Sequence, residues 1–455
     1  MTRDELLSSL PPEWPECPLA SIRRGLEESG ETLIVLDDDP TGTQTVYDLP
    51  VVTCLDRESI AAALAEKPPV LFLLTNSRSL TADETRTLHQ KLGETLRSLG
   101  QGRVISRSDS TLRGHYPSET DVLSDALGLG DAITLLAPFF AAGGRLTAGD
   151  QHYVLEGEEA VEAHLTPFAK DPVFAFSHSF LPDYIEEKTS GRVRADQVVS
   201  LGLELIRKQG PEAVAEKLMA APARSVVIAN AVCQRDIEVV AAGVGIAARK
   251  GKGLLARSAA SYVQACAGLP TREPLSKGDL QSSSTNGGLV VVGSHVPKTT
   301  SQLSYLLERT PDWEQIELDV DQLLASGIPG DLQARLNAAL ESGRHAILST
   351  SRKLTTGGGD EENLRISATV SAALVEIVSN IPPPRFLIAK GGITSSDIAT
   401  KALQVRRAMV QGAILPGVPV WKLGEETRFP GLSYVIFPGN VGGDSALFEA
   451  VLKLT

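Results

Sequence analysis

Three consecutive aspartates, Asp37, Asp38 and Asp39, end the apolar run "LIVL" and are followed at once by Pro-Thr-Gly-Thr. Adjacent carboxylates repel, so grouping them adds nothing to a fold by itself. One of them can cap the turn that follows, but three exceed that need, and a ligand or metal role is expected for the surplus. Thr41 and Gly42 open the turn with a hydroxyl and backbone N–H groups. A second stretch, "SRSDSTLRGHYPSE", gathers Arg107, Asp109, Ser110, Thr111, Arg113 and Gly114 within a few residues. Arginine presents a planar fork suited to carboxylate or phosphate, and hydroxyls suit polyol oxygens. An Arg–Asp pair that only braces a loop is the plainer alternative. Asn76 and Arg78 follow another apolar run in "LLTNSRSL", and "LLAPFFAAGGRLTAGDQHYV" places Pro138, Gly144, Arg145 and Asp150 after a third. His152 in that stretch is as readily structural as functional. The inventory of carboxylates, hydroxyls and arginines fits a small, oxygen-rich, anionic substrate better than a lipid or a peptide.

The second half carries a different chemistry. "LVVVGSHVPKTTSQL" runs from an apolar stretch through Gly293-Ser294 into a helical pattern. "FLIAKGGITSSDIATKAL" does the same with Gly391, Gly392, Thr394 and Ser395, and "YVIFPGNVGGDSALFEAV" with Gly439, Asn440, Gly442 and Gly443. A glycine turn at a helix start lets backbone amides approach an anion. One such turn is a common structural feature, but three in one region point to a nucleotide or polyphosphate site. None fits the Walker pattern or the strict dinucleotide fingerprint, which sets hydride transfer aside.

These residues need elements to hold them. Short apolar runs at 32–36, 51–54, 70–74, 104–106, 133–137, 225–229 and 253–256 read as strands, with helical composition at 82–100 and 212–220. After about residue 268 the Pro-, Gly- and Ser-rich "GLPTREPLSKGDLQSSSTNGG" interrupts the pattern. Apolar runs then resume at 289–292, 346–349, 386–389, 418–421 and 434–437. This alternation predicts an α/β protein of two domains, each a largely parallel sheet flanked by helices, with the active site in the cleft between them. The expected division is a substrate-binding domain over 1–266, a linker over 267–287 and a nucleotide-binding domain over 288–455. In open α/β sheets ligands sit beyond the carboxyl ends of the strands, where these polar clusters fall.

The chain of 455 residues is 42% hydrophobic and 22% charged, an ordinary globular balance, with a formal net charge of −13. That charge argues against nucleic acid or an anionic membrane as partner. Four cysteines without C-x-x-C spacing suggest neither a disulfide framework nor a zinc site. The N-terminal stretch lacks a secretion pattern and no apolar run is long enough for a bilayer, so a cytoplasmic protein is expected. The segment "LLSSLPPEWPECPLASIRRGLEESG" is open between packing on the core and swapping to a partner, which leaves a homodimer open.

Taken in order, the 37–42 turn, "SDSTLRG", "GSHVPKTTSQ", "GGITS" and "PGNVGG" resemble the four-carbon acid sugar kinase family. The resemblance implies an ATP-dependent kinase of a threonate-, erythronate- or oxo-tetronate-type acid, with Mg²⁺ accompanying the ATP. Carried over by motif, Ser294, the turn at Gly391, Gly392, Thr394 and Ser395, and the loop at Gly439, Asn440 and Gly442 would contact ATP. Asp38, Arg107, Asp109 and Arg113 would line the substrate site. Within it Asp38, Asp109 and Arg113 are the catalytic candidates, and Asp37, Thr41, Gly42, Asn76, Arg78, Arg107, Ser110 and Thr111 the substrate-binding ones. Arg107 or Arg113 is expected to clamp a substrate carboxylate and Asp38 to serve the attacking hydroxyl, with Asp444 as rival. The chain reads "DDDPTGTQ" where the family commonly has "DDFTGA", and "GGITSSD" for "GGETSG". It has Asn230 where an aspartate often stands. A non-catalytic sensor that binds a sugar acid and a nucleotide, and a kinase of a longer sugar acid or a hydroxy-amino acid, are the alternatives.

Overall fold

The computed structural model describes residues 1–353, 355 and 360–455, which form two compact units: Met1–Val46 with Cys54–Thr271, and Tyr47–Thr53 with Arg272–Thr455. The strands are β1 (Leu33–Asp37), β2 (Leu49–Val52), β3 (Val70–Leu74), β4 (Val104–Arg107) and β5 (Ile133–Ala137). They continue with β6 (Arg145–Ala148), β7 (Gln151–Glu156), β8 (Glu159–Glu162), β9 (Val199–Leu201), β10 (Val226–Ala229) and β11 (Leu254–Ser258). Then follow β12 (Leu289–Val292), β13 (Glu314–Leu318), β14 (Ala346–Thr350), β15 (Leu387–Lys390), β16 (Arg407–Leu415), β17 (Val418–Leu423) and β18 (Ser433–Phe437).

In the first unit β3-β1-β4-β11-β5-β10-β9 lie side by side and all pair in parallel. The continuous apolar runs explain this. β1 and β3 are buried along their whole length, as strands covered on both faces must be. The chain leaves β1 towards β3 on one side and returns to β4 on the other, so the β1/β4 boundary is a switch point, the place beyond which open α/β sheets bind their ligands. Helix Ala82–Ser98 connects β3 to β4 and starts at a capping box of Thr81 and Glu84.

Two parts of this unit escape a reading of apolar runs. A small antiparallel sheet, β6-β7-β8, follows β5, with Gly149 and Asp150 both at positive φ in the tight turn joining β6 to β7. The helix Leu203–Ala220, foreseen only over 212–220, begins earlier and kinks at Gly210 (φ +74°), where a Cβ would fall 2.5 Å from the Trp14 ring. That contact, with Arg207 Nη1 donating to Pro11 O at 2.7 Å, packs the N-terminal segment on its own unit.

The second unit has the strand order β13-β14-β12-β15-β18-β17-β16-β2. β13, β14, β12, β15 and β18 pair in parallel, and β17, β16 and β2 add an antiparallel extension. β2 was foreseen at 51–54 within the first domain. It runs over Leu49–Val52 and pairs with β16, so a strand from early in the chain completes the later sheet. The stretch foreseen as a linker also carries core residues: Leu275 and Leu280 are buried with Val290, Ile414 and Val418. Its Pro, Gly and Ser content hid two apolar anchors. β12/β15 is this sheet's switch point.

Candidate functional site

In the first unit β3, β1 and β4 are neighbours, so Arg78, the aspartate triplet and Arg107 meet at one edge. Asn76, in the left-handed region (φ +50°), turns the chain after β3, and its amide donates to Ser79 Oγ at 2.9 Å. Arg78 is thereby brought back onto Asp38, with Nη2 to Oδ1 at 2.5 Å and Nε to Oδ2 at 3.1 Å. Asp38 also accepts from Ser108 Oγ at 3.1 Å and lies 3.5 Å from Arg107 Nη1. Arg107 donates to Asp37 Oδ1 at 3.1 Å. Asp39 accepts from the backbone N–H of Thr41 at 2.8 Å and from its hydroxyl at 2.5 Å, which is the capping role foreseen for one carboxylate.

The triplet therefore answers two arginines and a turn. Asp37 is buried beneath Gly42, where a Cβ would fall 2.0 Å from Asp37 Oδ1, so only glycine lets the turn cross the carboxylate. Burial pushes the Asp37 pKa up to about 7, against the pull of Arg107. Asp39 is held below the usual carboxylate range because Arg78 and the Thr41 hydrogen bonds outweigh its burial. Among the described residues no group of three or more His, Cys, Asp or Glu is arranged to hold a metal ion.

After β4 the chain forms a second knot. Asp109 Oδ2 accepts from Arg113 Nε at 2.7 Å and from the Thr111 hydroxyl, and Oδ1 lies 4.0 Å from Arg78 Nη1. Burial of Asp109 is outweighed by Arg113 and Arg78, so its pKa is held far below the usual range. His152 fixes this loop: Nε2 meets the carbonyl of Ser110 at 2.8 Å and Nδ1 the hydroxyl of Thr147 at 2.9 Å. A carbonyl only accepts, so Nε2 carries the proton and Nδ1 accepts from Thr147. Burial pushes the His152 pKa down to about 4, which keeps the ring neutral and structural.

The two arginines expected to clamp a carboxylate are already engaged. Arg107 is 4% exposed and paired with Asp37, and Arg113 is shared between Asp109 and Asp171. Arg145, noted after a strand but given no binding or catalytic role, lies beside Arg113 with no carboxylate within ion-pair distance among the described residues. Its signal in the sequence was the pair Gly144-Arg145 just beyond a strand end. Arg257 is also unpaired by a carboxylate. It is buried over Tyr116 and donates to Arg113 O at 2.7 Å, which gives it a supporting place under the knot.

In the second unit the three glycine turns follow β12, β15 and β18, which are adjacent parallel strands. Ser294, Gly391 and Gly439 converge: a Cβ on Gly391 would fall 3.0 Å from Ser294 Cβ, and one on Gly439 3.3 Å from Ser294 Oγ. Thr299 Oγ1 donates to Gly439 O at 3.2 Å, and Gln302 Nε2 donates to Val441 O at 2.9 Å and Gly443 O at 2.7 Å. Arg352 Nη1 donates to Ser294 O at 2.6 Å. Ser395 is not free for a ligand in this arrangement: its hydroxyl donates to Ala389 O at 2.7 Å and its carbonyl accepts from Tyr434 at 2.6 Å. Gly392 and Thr394 line a cavity of about 500 Å³ with Ser294, and Val320, Val370 and Leu374 give it an apolar wall. Asn440 and Gly442 are exposed, and Asp444, also exposed, accepts from Ser301 Oγ at 2.8 Å. Lys390, fully buried at the end of β15, donates to Pro438 O at 3.0 Å, and burial lowers its pKa to about 7.

Two family models match, one described as a sugar-binding N-terminal domain over residues 33–266 and one as a nucleotide-binding C-terminal domain over 289–447. Together they cover most of the chain. It belongs to the four-carbon acid sugar kinase family. Among curated relatives, a D-threonate kinase of Bordetella bronchiseptica is 29% identical over 191 residues, 42% of each chain. A D-erythronate kinase of Heliobacterium modesticaldum is 27% identical over 51% of this chain and 49% of its own. The chain thus matches about half the length of these two relatives. A D-threonate kinase of Cupriavidus necator is 26% identical over 78% of this chain and 81% of its own. A Haemophilus influenzae protein shares the fold, with a TM-score of 0.65 at 18% identity, covering 93% of this chain and all of that one.

Within this family chain the departures now have places. Asp39 caps its turn, and Ile393 is exposed at the rim of the second-unit cavity. Asn230 donates to Asp150 Oδ1 at 2.6 Å and accepts from the Asp150 N–H at 2.8 Å, which ties the β6–β7 turn to β10. No helix among the described residues is long and apolar enough to cross a membrane.

Proposed function

We propose that this protein is a kinase that transfers the γ-phosphoryl group of ATP to a hydroxyl of a small, four-carbon sugar acid. One observation carries the reading. Each unit gathers one half of the needed chemistry at the switch point of its sheet: oxygen and cation ligands in the first, converging glycine turns beside a cavity in the second. The second-unit cavity has the size and mixed lining of a nucleoside site, with the backbone of the Ser294, Gly391 and Gly439 turns for the phosphates. The names of the relatives support the acceptor class.

Phosphoryl transfer asks for positioning and charge neutralisation more than for covalent chemistry. Asp38, with both oxygens taken by Arg78, Ser108 and Arg107, is suited to organise the site rather than to accept a proton. Asp109 is more exposed, 12% against 3% for Asp38, and its Oδ1 has only a 4.0 Å neighbour. It is the carboxylate we assign to orient the acceptor hydroxyl. Its depressed pKa makes it an acceptor of a hydrogen bond and a weak base, which suits a loose transition state. Mg²⁺ would be held chiefly by the nucleotide's phosphates, as is common for this ion, and would neutralise their charge. Donor and acceptor bind to different units in this reading, so transfer depends on bringing them within about 3–3.5 Å. Sugar-acid-dependent release of ADP is the test. Tight binding of both ligands without turnover would favour a sensor instead.

A further inference from the structure

Arg145, like Arg257, is a cation of the first-unit cluster with no ion pair among the described residues, but it is partly exposed where Arg257 is buried. It opens β6 beyond the turn Ala141–Gly143, and its Nη1 donates to the carbonyl of Gly143. That glycine is required for the pose, because a Cβ there would fall 2.1 Å from the guanidinium nitrogen. The guanidinium carbon lies 5.6 Å from the Phe168 ring centroid, and Arg113 shares the same ring at 5.1 Å. Arg113 is balanced by Asp109 at 2.7 Å and Asp171 at 3.5 Å. Arg145 has no carboxylate within ion-pair distance among the described residues, and its buried Nε has no acceptor.

A partly buried guanidinium held in one pose beside another, with an unsatisfied donor, is a costly arrangement unless an anion completes it. The fork is pre-organised by a backbone carbonyl and an aromatic face, so binding an anion requires little further ordering. Burial lowers the Arg145 pKa; the attraction of Asp109 offsets part of the shift and the repulsion of Arg113 adds to it. Asp109 of the same knot faces the acceptor hydroxyl in the reading above, so a carboxylate on Arg145 would orient the hydroxyl end of the same small molecule.

We propose that Arg145 is the residue that binds the substrate's carboxylate and thereby selects sugar acids over neutral polyols. This rests on the sugar-acid reading of the first unit but not on phosphoryl transfer. The test is calorimetric binding of D-threonate, D-erythronate and the neutral polyol erythritol, without nucleotide. The wild-type protein should bind one of the acids at least tenfold more tightly than erythritol. Arg145→Gln should bring its affinity for that acid down to that for erythritol, with only a small fall in melting temperature, since the Gly143 bond and the Phe168 contact go but no ion pair is lost. Arg145→Lys keeps the charge and loses the fork, so its preference should be intermediate. Arg113→Gln, by contrast, should lower the melting temperature by orphaning Asp109. An Arg145→Gln protein that keeps the preference overturns the proposal, as does full preference in Arg145→Lys if the glutamine variant fails to fold. Acid binding without ADP release would sink the kinase reading and leave this one standing. If wild type binds neither acid, the sugar-acid reading and this proposal fall together.

Discussion

At Asp37 burial beneath Gly42 outweighs the attraction of Arg107 and pushes the folded-state pKa up to about 7, from an ordinary 3.8. The folded state then binds a proton that the unfolded state has released between those two values. This contribution to stability is complete below about pH 4 and is lost as pH rises through about 7. The depressed pKa values of Asp39 and Asp109 act in the other direction, and their contribution is lost as pH falls below 3.8. The two windows do not overlap. Asp37→Asn should therefore flatten the decline in urea midpoint between pH 4 and pH 7 while leaving the acid limb below pH 4 in place. The decline it removes is on the order of a few kcal/mol. An unchanged slope between pH 4 and 7 would show that another group titrates there.

In the loop after β18 Gln302 Nε2, from the helix Pro297–Arg309, spans Val441 O and Gly443 O, next to the Thr299 bond to Gly439 O. Gln302→Leu removes both bonds while roughly keeping the volume. Because Gly439 in that loop meets Ser294, loosening it should raise the KM for nucleotide several-fold with a smaller change in kcat. Steady-state kinetics with varied ATP would show this, and an unchanged KM would remove the loop from the nucleotide site. The elements behind these contacts differ in how well the sequence announces them. β1, β3 and β12 are continuous apolar runs because both faces are buried, and such runs stand out. β13 and β16 bury alternate residues, and β16 contains a glycine and irregular register, so neither shows as a run. At the site, residue types and their positions after strands were legible. Which arginine answers which aspartate was not, because Arg78 and Asp38 are 40 residues apart and meet only through sheet order. The place of Arg145 after a strand was legible but its lack of an ion pair was not, because an unpaired cation is recognised only once the pairs are known.

The second unit is not a contiguous stretch of chain. β2, from residues Leu49–Val52, pairs with β16 along Arg407–Val410. A polypeptide of residues 272–455 alone would leave β16 as an unpaired edge, which is a template for aggregation. Such a fragment should be less soluble than the same fragment supplied with a peptide of residues 47–53, as light scattering and thermal melting would report. Equal behaviour with and without the peptide would mean that β2 is dispensable to this unit. The central claim concerns the two units together: oxygen ligands in one and phosphate turns in the other serve one transfer reaction. Its most direct test is ADP release across four- to six-carbon sugar acids, each with and without Mg²⁺. The account predicts turnover that requires Mg²⁺ and is confined to four-carbon acids, with product mass greater by one phosphoryl group. ATP binding without any acid-dependent ADP release would contradict it.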